Sequence, residues 1–172
     1  MGVNFSNSSS TSGLLVDIWR LTTNHQGNTD PLQNWERVDT NNHGYFGGNM
    51  SQSSGLFTFP KTGVYRIDYH GKSFLNTTTA GSHNCNFTIR TTVDNGSNFT
   101  SAALGQVHFG GGGYSNSLNT SASCSCTCFF DVSDTSNHKV QFRYGAGQGH
   151  EYVSGNSSQN ETYAVFTLLG DT

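Results

Sequence analysis

Apolar and polar residues alternate with a period of two along most of this chain, the pattern of half-buried β-strands. Residues 64–75 put Tyr65, Ile67 and Tyr69 on one face and Arg66, Asp68, His70 and Lys72 on the other. Residues 85–93 alternate again and run into Asp94-Asn95-Gly96, a tight-turn signal. The clearest pattern is 121–132, with Ala122, Cys124, Cys126, Cys128, Phe130 and Val132 facing one way and Ser121, Ser123, Ser125 and Thr127 the other. Val140, Phe142 and Tyr144 make the next inward set, with Lys139, Gln141 and Arg143 outside. Residues 14–21, 35–38, 45–50, 56–59 and 102–109 read as further extended segments, and Pro60-Lys61-Thr62-Gly63 is a turn. No helix-period stripe of useful length occurs. Many short strands separated by turn chemistry predict an all-β sandwich or barrel.

The last segment, 162–169, departs from simple alternation. Ala164, Phe166 and Leu168 lie on one face, but Tyr163, Val165 and Leu169 make the other face apolar too. A strand of an antiparallel two-sheet domain normally keeps one wet face. In a domain this small, the second apolar face predicts cover by a neighbouring subunit. Phe129, the lone aromatic on the Ser/Thr face of its strand, joins Tyr163, Val165 and Leu169 as an expected interface residue.

Composition narrows the picture. The chain has 172 residues, enough for one domain, expected over 14–172 behind a polar N-terminal arm, 1–13. Only 11% of residues are charged, yet 12% are aromatic, too many for a disordered tail. A net charge of −3 and the lack of a basic cluster argue against nucleic acid or an anionic membrane as partner. No apolar run approaches the roughly 20 residues of a membrane span. The first dozen residues carry no hydrophobic signal core, so synthesis in a cytoplasm with reduced thiols is expected.

Candidate chemistry weighs little beside this. Cys124, Cys126 and Cys128 are tempting zinc ligands, with Cys85 or a histidine to complete a set. Yet alternate residues on a strand stand about 6.6–7 Å apart, so their sulfurs converge poorly, and small buried hydrophobes explain them better. His83 and Cys85 form only a minimal pair. His70 and Asp68 are the candidates that a threefold axis would gather. No Gly-x-Ser-x-Gly elbow is present, the acidic residues fall mostly in turns, and Gly110 to Gly113 leads into no phosphate loop. The Asn-x-Ser/Thr sequons, at Asn76, Asn86, Asn98, Asn119, Asn156 and Asn160, are expected to stay unmodified. No catalytic site, metal or cofactor is expected.

The run Gly55-Leu-Phe-Thr-Phe-Pro-Lys-Thr-Gly-Val-Tyr-Arg-Ile-Asp-Tyr-His70 resembles the signature of the C1q-like branch of the tumour-necrosis-factor superfamily. The ending Glu161-Thr-Tyr-Ala-Val-Phe-Thr-Leu-Leu-Gly170 is similar to that family's last strand, and 121–144 to its alternating strand, turn and strand. The resemblance implies a ten-stranded jelly roll that forms a homotrimer about a threefold axis. Val165 departs from the Gly often found there, and a collagen-like stem is absent from the sequence. Trp35-Glu-Arg-Val-Asp39 and the segment 50–60 resemble C1q-like modules of tailed-phage virions. From these come two expectations. One is a non-enzymatic virion structural protein, a capsid decoration (cement) protein on the outer surface of the capsid, with the major capsid protein or another virion protein as partner. The other is a fibre-tip or head-fibre knob that binds a host-surface glycan through Tyr45, Phe46, Tyr114 and Tyr152.

Overall fold

A computed structural model describes residues 14–40, 44–75, 83–109 and 120–171. The expected arm, 1–13, lies outside them. The described strands, in chain order, are β1 (Leu15–Leu21), β2 (His25–Gln26), β3 (Trp35–Arg37), β4 (Ser51–Ser53), β5 (Leu56–Thr58), β6 (Gly63–Leu75), β7 (His83–Thr92), β8 (Thr100–Phe109), β9 (Thr120–Val132), β10 (Lys139–Ala146), β11 (Glu151–Val153) and β12 (Tyr163–Gly170).

They form two antiparallel sheets packed face to face. The first runs β9-β6-β12-β1-β3, and the second β4-β5-β10-β7-β8. These ten strands are the expected jelly roll. The short strands β11 and β2 extend the first sheet beside the far end of β6. The spine of that sheet is β6, which pairs with β9 along its whole length. Its other edge is shared, with β12 taking the N-terminal part and β11 the rest.

The alternation read from the sequence is the alternation of burial. Tyr65, Ile67 and Tyr69 of β6 face Phe87 and Ile89 of β7 and Phe142 and Tyr144 of β10 across the core, all fully buried. Aromatic rings carry much of this contact. Trp19 meets Phe57 edge-on at 5.4 Å, and Phe142 lies 4.8 Å from Tyr69. Such pairs add roughly 0.5–1.5 kcal/mol beyond the area they bury. Two local conformations depend on glycine. In the β4–β5 hairpin, Ser54 and Gly55 both take positive φ (51° and 84°), the geometry that matches strand twist. In β6, a Cβ on Gly71 would fall 2.0 Å from the Phe87 ring, so only hydrogen lets that ring lie flat on the strand.

Two expectations need correction. The 45–50 segment is not a strand: only Phe46 makes a ladder contact, bridging Val16, because Gly47 and Gly48 turn the chain at φ 76° and 147°. Lys139 and Gln141 do point away from the core, but they are buried there. The 29–32 segment crosses this surface, and Asp30 accepts a hydrogen bond from Gln141 Nε2 at 2.8 Å, while Lys139 Nζ donates to the Thr135 carbonyl. Most acidic residues do lie outside the strands, but Asp17, Asp68 and Glu151 sit in strands and are buried.

Candidate functional site

The outward face of the first sheet carries the residues read from the sequence as interface candidates, and strand register sorts its side chains into two halves. Three successive rows cross β1, β12, β6 and β9. They are Val16–Thr167–Arg66–Phe129, Ile18–Val165–Asp68–Thr127 and Arg20–Tyr163–His70–Ser125. Beyond the first row the same face bears Leu14 and Leu169, 53% and 55% exposed, and Phe129 is 67% exposed. Phe129, Tyr163, Val165 and Leu169 therefore do share one face. Val16 and Ile18, which alternate outward on β1, complete the apolar patch.

Its charged centre is self-contained. Asp68 accepts from Arg66 Nε and Nη2 at 3.1 and 3.0 Å and from the Thr127 hydroxyl at 2.6 Å. Asp68 is thus already paired and His70 is stacked on Tyr163, rings 4.5 Å apart and nearly parallel.

The other half of the face is concave and polar. A depression of about 570 Å³ opens over the far part of β6. Its floor is His70 and Lys72 beside their cross-strand partners Ser125 and Ser123. Glu161 and Tyr163 bound it on the β12 side, with Gln159 and Asn160 above. Lys72 Nζ lies 3.3 Å from Glu161 Oε1. Glu161 also accepts from the Ser154 hydroxyl. These two contacts, the Ser154 bond foremost, hold its carboxyl below the usual range. The sequence shows each strand's outward residues, but the depression comes from their register. The pairing of Lys72 with Ser123 is written in neither strand alone.

Two buried ionic clusters tie loops to strands. Asp17 is fully buried and accepts from Arg37 Nε at 3.0 Å and from the Met50 backbone N–H at 2.9 Å. Arg37 in turn lies over the rings of Trp19 and Tyr45, at 4.6 and 5.0 Å. Glu151, also fully buried, meets His83 Nδ1 at 3.0 Å and the backbone N–H groups of Gln148 and His150. An inward Asp at the second position of an otherwise apolar alternation was the available signal for the first. Nothing in the local pattern marks the second.

The thiols are structural in their surroundings. Cys85 touches the hydroxyls of Ser73 and Tyr144, each at 3.1 Å, while His83, two residues away on β7, meets Glu151. Burial pushes Cys124 and Cys128 up to about 11 and raises Cys85 and Cys126 as well. All four cysteines are free, and no group of three or more His, Cys, Asp or Glu side chains gathers as an ion site among the described residues. The thiolate that a metal or an electrophile needs is therefore scarce near neutral pH.

The aromatics expected to stack on sugars do not converge. Tyr45 and Phe46 are exposed at the β1 edge of the sheet. Tyr152 lies beside the far end of β6, one face spent on Phe74 at 5.0 Å and its hydroxyl on Gln26. Eight residues of β6 separate the Arg66 row, which includes Val16 and thus Phe46, from Phe74 opposite Tyr152, or about 27 Å of strand. Tyr114 lies outside the described residues.

No protein-family model and no curated protein sequence matches the chain. Solved structures do match in fold. Eiger TNF from S. frugiperda superposes with a TM-score of 0.62 at 10% identity, covering 93% of this chain and 95% of that one. Murine APRIL gives TM-scores of 0.57 at pH 5.0 and 0.58 at pH 8.0, with 12% and 9% identity, 91% of this chain and 99% of the other. The chain is a TNF-like jelly roll.

Proposed function

We propose that this chain is a non-enzymatic interaction module that works as a homotrimer, with the apolar half of the first sheet's outward face buried against the next copy. The observation that carries the reading is the collection of Phe129, Val165, Leu169, Leu14, Val16 and Ile18 on one side of one sheet. Apolar side chains gathered on a single face mark an association surface far more often than scattered ones do. A second copy is the occupant that fits. The charged pair at its centre, Arg66 and Asp68, is self-neutralised, and no cluster of basic residues borders it among the described residues, as a nucleic acid or an anionic membrane would need. The threefold closure follows from the C1q-like resemblance of the 55–70 and 161–170 segments. Light scattering behind size exclusion tests it: a mass of three chains is expected, and a monomer at all concentrations would refute it.

Within this reading the setting we propose is the outer surface of a tailed-phage capsid, where the trimer would act as a decoration protein. Support comes from the sequence: a charge-poor, Asn/Ser/Thr/Gly-rich chain, and the likeness of 35–39 and 50–60 to virion modules. Three weak arm and domain-end contacts joined in one trimer would bind a shell through avidity. Co-sedimentation with capsids prepared without decoration is the check. Binding that needs the trimer and the 1–13 segment is expected, and a trimer that stays in the supernatant would sink this setting while leaving self-association intact.

A further inference from the structure

The outward face of the second sheet lies on the opposite side of the sandwich from the apolar patch, and its charges do not balance. Register places Gln141, Arg90 and Ser101 in one row across β10, β7 and β8, and Arg143, Thr88 and Leu104 in the next. Arg90 and Arg143 are thus diagonal neighbours on one face. On the first sheet each of Arg20, Arg37, Arg66 and Lys72 has a carboxylate of its own. Here two guanidiniums share Asp30. Arg90 Nη1 donates to its Oδ2, while Arg143 Nε stands 3.8 Å from the same oxygen. Lys139, on the far side of Gln141, is buried and gives its ammonium to the Thr135 carbonyl.

Asp30 shows what these groups hold. It comes from the 29–32 segment that crosses the sheet, and it is a carboxylate fixed on an outer face by a braced guanidinium. Arg90 lies over the Phe99 ring, 5.5 Å from its centre, and its Nη2 donates to the Phe99 carbonyl at 3.4 Å. A guanidinium already held in place loses little freedom when it takes a carboxylate. Arg143 is the unengaged member. Its side chain is 45% exposed, and 3.8 Å is too long for a hydrogen bond, so its planar donor fork faces solvent. Across Thr88 from it stands Leu104, 60% exposed.

Charge complementarity calls for an anion, and the number of cations selects which. A nucleic acid or a sulfated polymer follows a track of free cations. This face has one free guanidinium, one shared guanidinium and one buried ammonium, and an anionic bilayer would need a broader basic patch still. A protein segment needs less: a donor fork for one carboxylate and an apolar neighbour to pack beside it, which Arg143 and Leu104 supply.

We propose that the outward face of the second sheet, centred on Arg143 and Arg90, binds a carboxylate-bearing segment of a partner protein, and that Asp30 competes with that carboxylate. Every group comes from one chain and lies opposite the face that self-association buries, so the site does not depend on the trimer.

The test is fluorescence anisotropy on the purified full chain at low salt. The probe is a labelled Glu-Thr-Glu-Leu-Glu-Thr-Glu peptide, with its all-Gln counterpart and a single-stranded DNA oligonucleotide as the other arms. The acidic peptide is expected to bind saturably and the Gln peptide not at all. Arg143→Glu should weaken binding at least about tenfold, and Arg90→Gln should weaken it too. Asp30→Asn keeps an acceptor for Gln141 but removes the competing charge, so it should tighten binding about threefold, where a purely structural Asp30 would weaken it. Lys61→Gln, which removes one positive charge from a turn, should leave binding unchanged. Phe129→Ser should bind like the parent, which separates this site from assembly. Circular dichroism and melting of each variant keep a folding defect from deciding the result. No saturable binding of the acidic peptide, equal binding by Arg143→Glu, weaker binding by a folded Asp30→Asn, or tighter binding of the oligonucleotide than of the peptide would each overturn the proposal.

Discussion

Replacing Phe129 with Ser separates assembly from folding. In the single chain this ring is 67% exposed, so its loss takes almost nothing from the core. Stability should then change by no more than about 0.5 kcal/mol, as for other surface substitutions. The assembled state responds differently. A Phe side chain offers on the order of 150–250 Å², of which about two-thirds is still available here. Burying that area at about 25 cal/mol per Å² contributes about 3 kcal/mol per contact. A threefold ring repeats the contact three times, giving about 9 kcal/mol as an upper figure. Even a third of it shifts dissociation by about two powers of ten. The assay is light scattering behind size exclusion over a wide dilution series, with a thermal melt in parallel. The variant should dissociate at concentrations where the parent chain stays assembled, and its monomer should melt like the parent's monomer. A variant that keeps full mass throughout the dilution would remove β9 from the interface. A variant that unfolds would show that the ring belongs to the fold and not to the contact.

Three further outcomes are expected. Asp17→Ala strands Arg37 and the Met50 N–H, so denaturant unfolding should show a loss of about 3–5 kcal/mol, the cost of breaking a buried ion pair; a loss below about 1 kcal/mol would show that the pair is solvated. Gly71→Ala drives a methyl into the Phe87 ring and should cost about 1–3 kcal/mol, with altered near-ultraviolet circular dichroism; an unchanged melt would mean that the two strands separate freely. Acid should act through the turns: bonds from Thr92 and Asn98 hold Asp94 down at about 2, and those from Ser136 and Asn137 lower Asp134. A depressed carboxylate stabilises the fold above its unfolded value of about 3.9, and that contribution is lost as pH falls through the folded value. The melting temperature should therefore fall between about pH 4 and pH 2, and less steeply in Asp94→Asn and Asp134→Asn; parallel curves would count against this account.

The long strands were legible because each carries enough alternation to define a face. β6, β9 and β12 begin and end within one residue of the spans read from the sequence, and the inward cysteines of β9 pack as its pattern implies. β2, β4 and β11 were not legible. They are two or three residues long, shorter than the repeat needed to see a period; β3 and β5 are as short, but Trp35 and the Leu56-Phe57-Thr58-Phe59 run marked them. The apolar half of the candidate surface was readable from Tyr163, Val165 and Leu169, since a doubly apolar strand is visible in one dimension. The polar half was not, because its groups come from β6, β9 and the 159–161 segment and meet only through register. Asp17 and Glu151 illustrate the same limit: each buried carboxylate relies on partners distant along the chain, Arg37 and Met50 for the first and His83 for the second.

The position of β6 also governs how the molecule comes into being. Ile67 pairs with Phe166, 99 residues later, and Leu15 pairs with Leu168, 153 residues later. A ribosome will thus release both strands long before the segment that joins them exists. Topologies dominated by such distant pairings fold slowly, in the range of milliseconds to seconds for small domains. Until β12 emerges, β1 and β6 each present an open ladder edge that another nascent chain can occupy. β12 acts as the closing seam of the sandwich, and yield in a cell will depend on how quickly it is delivered.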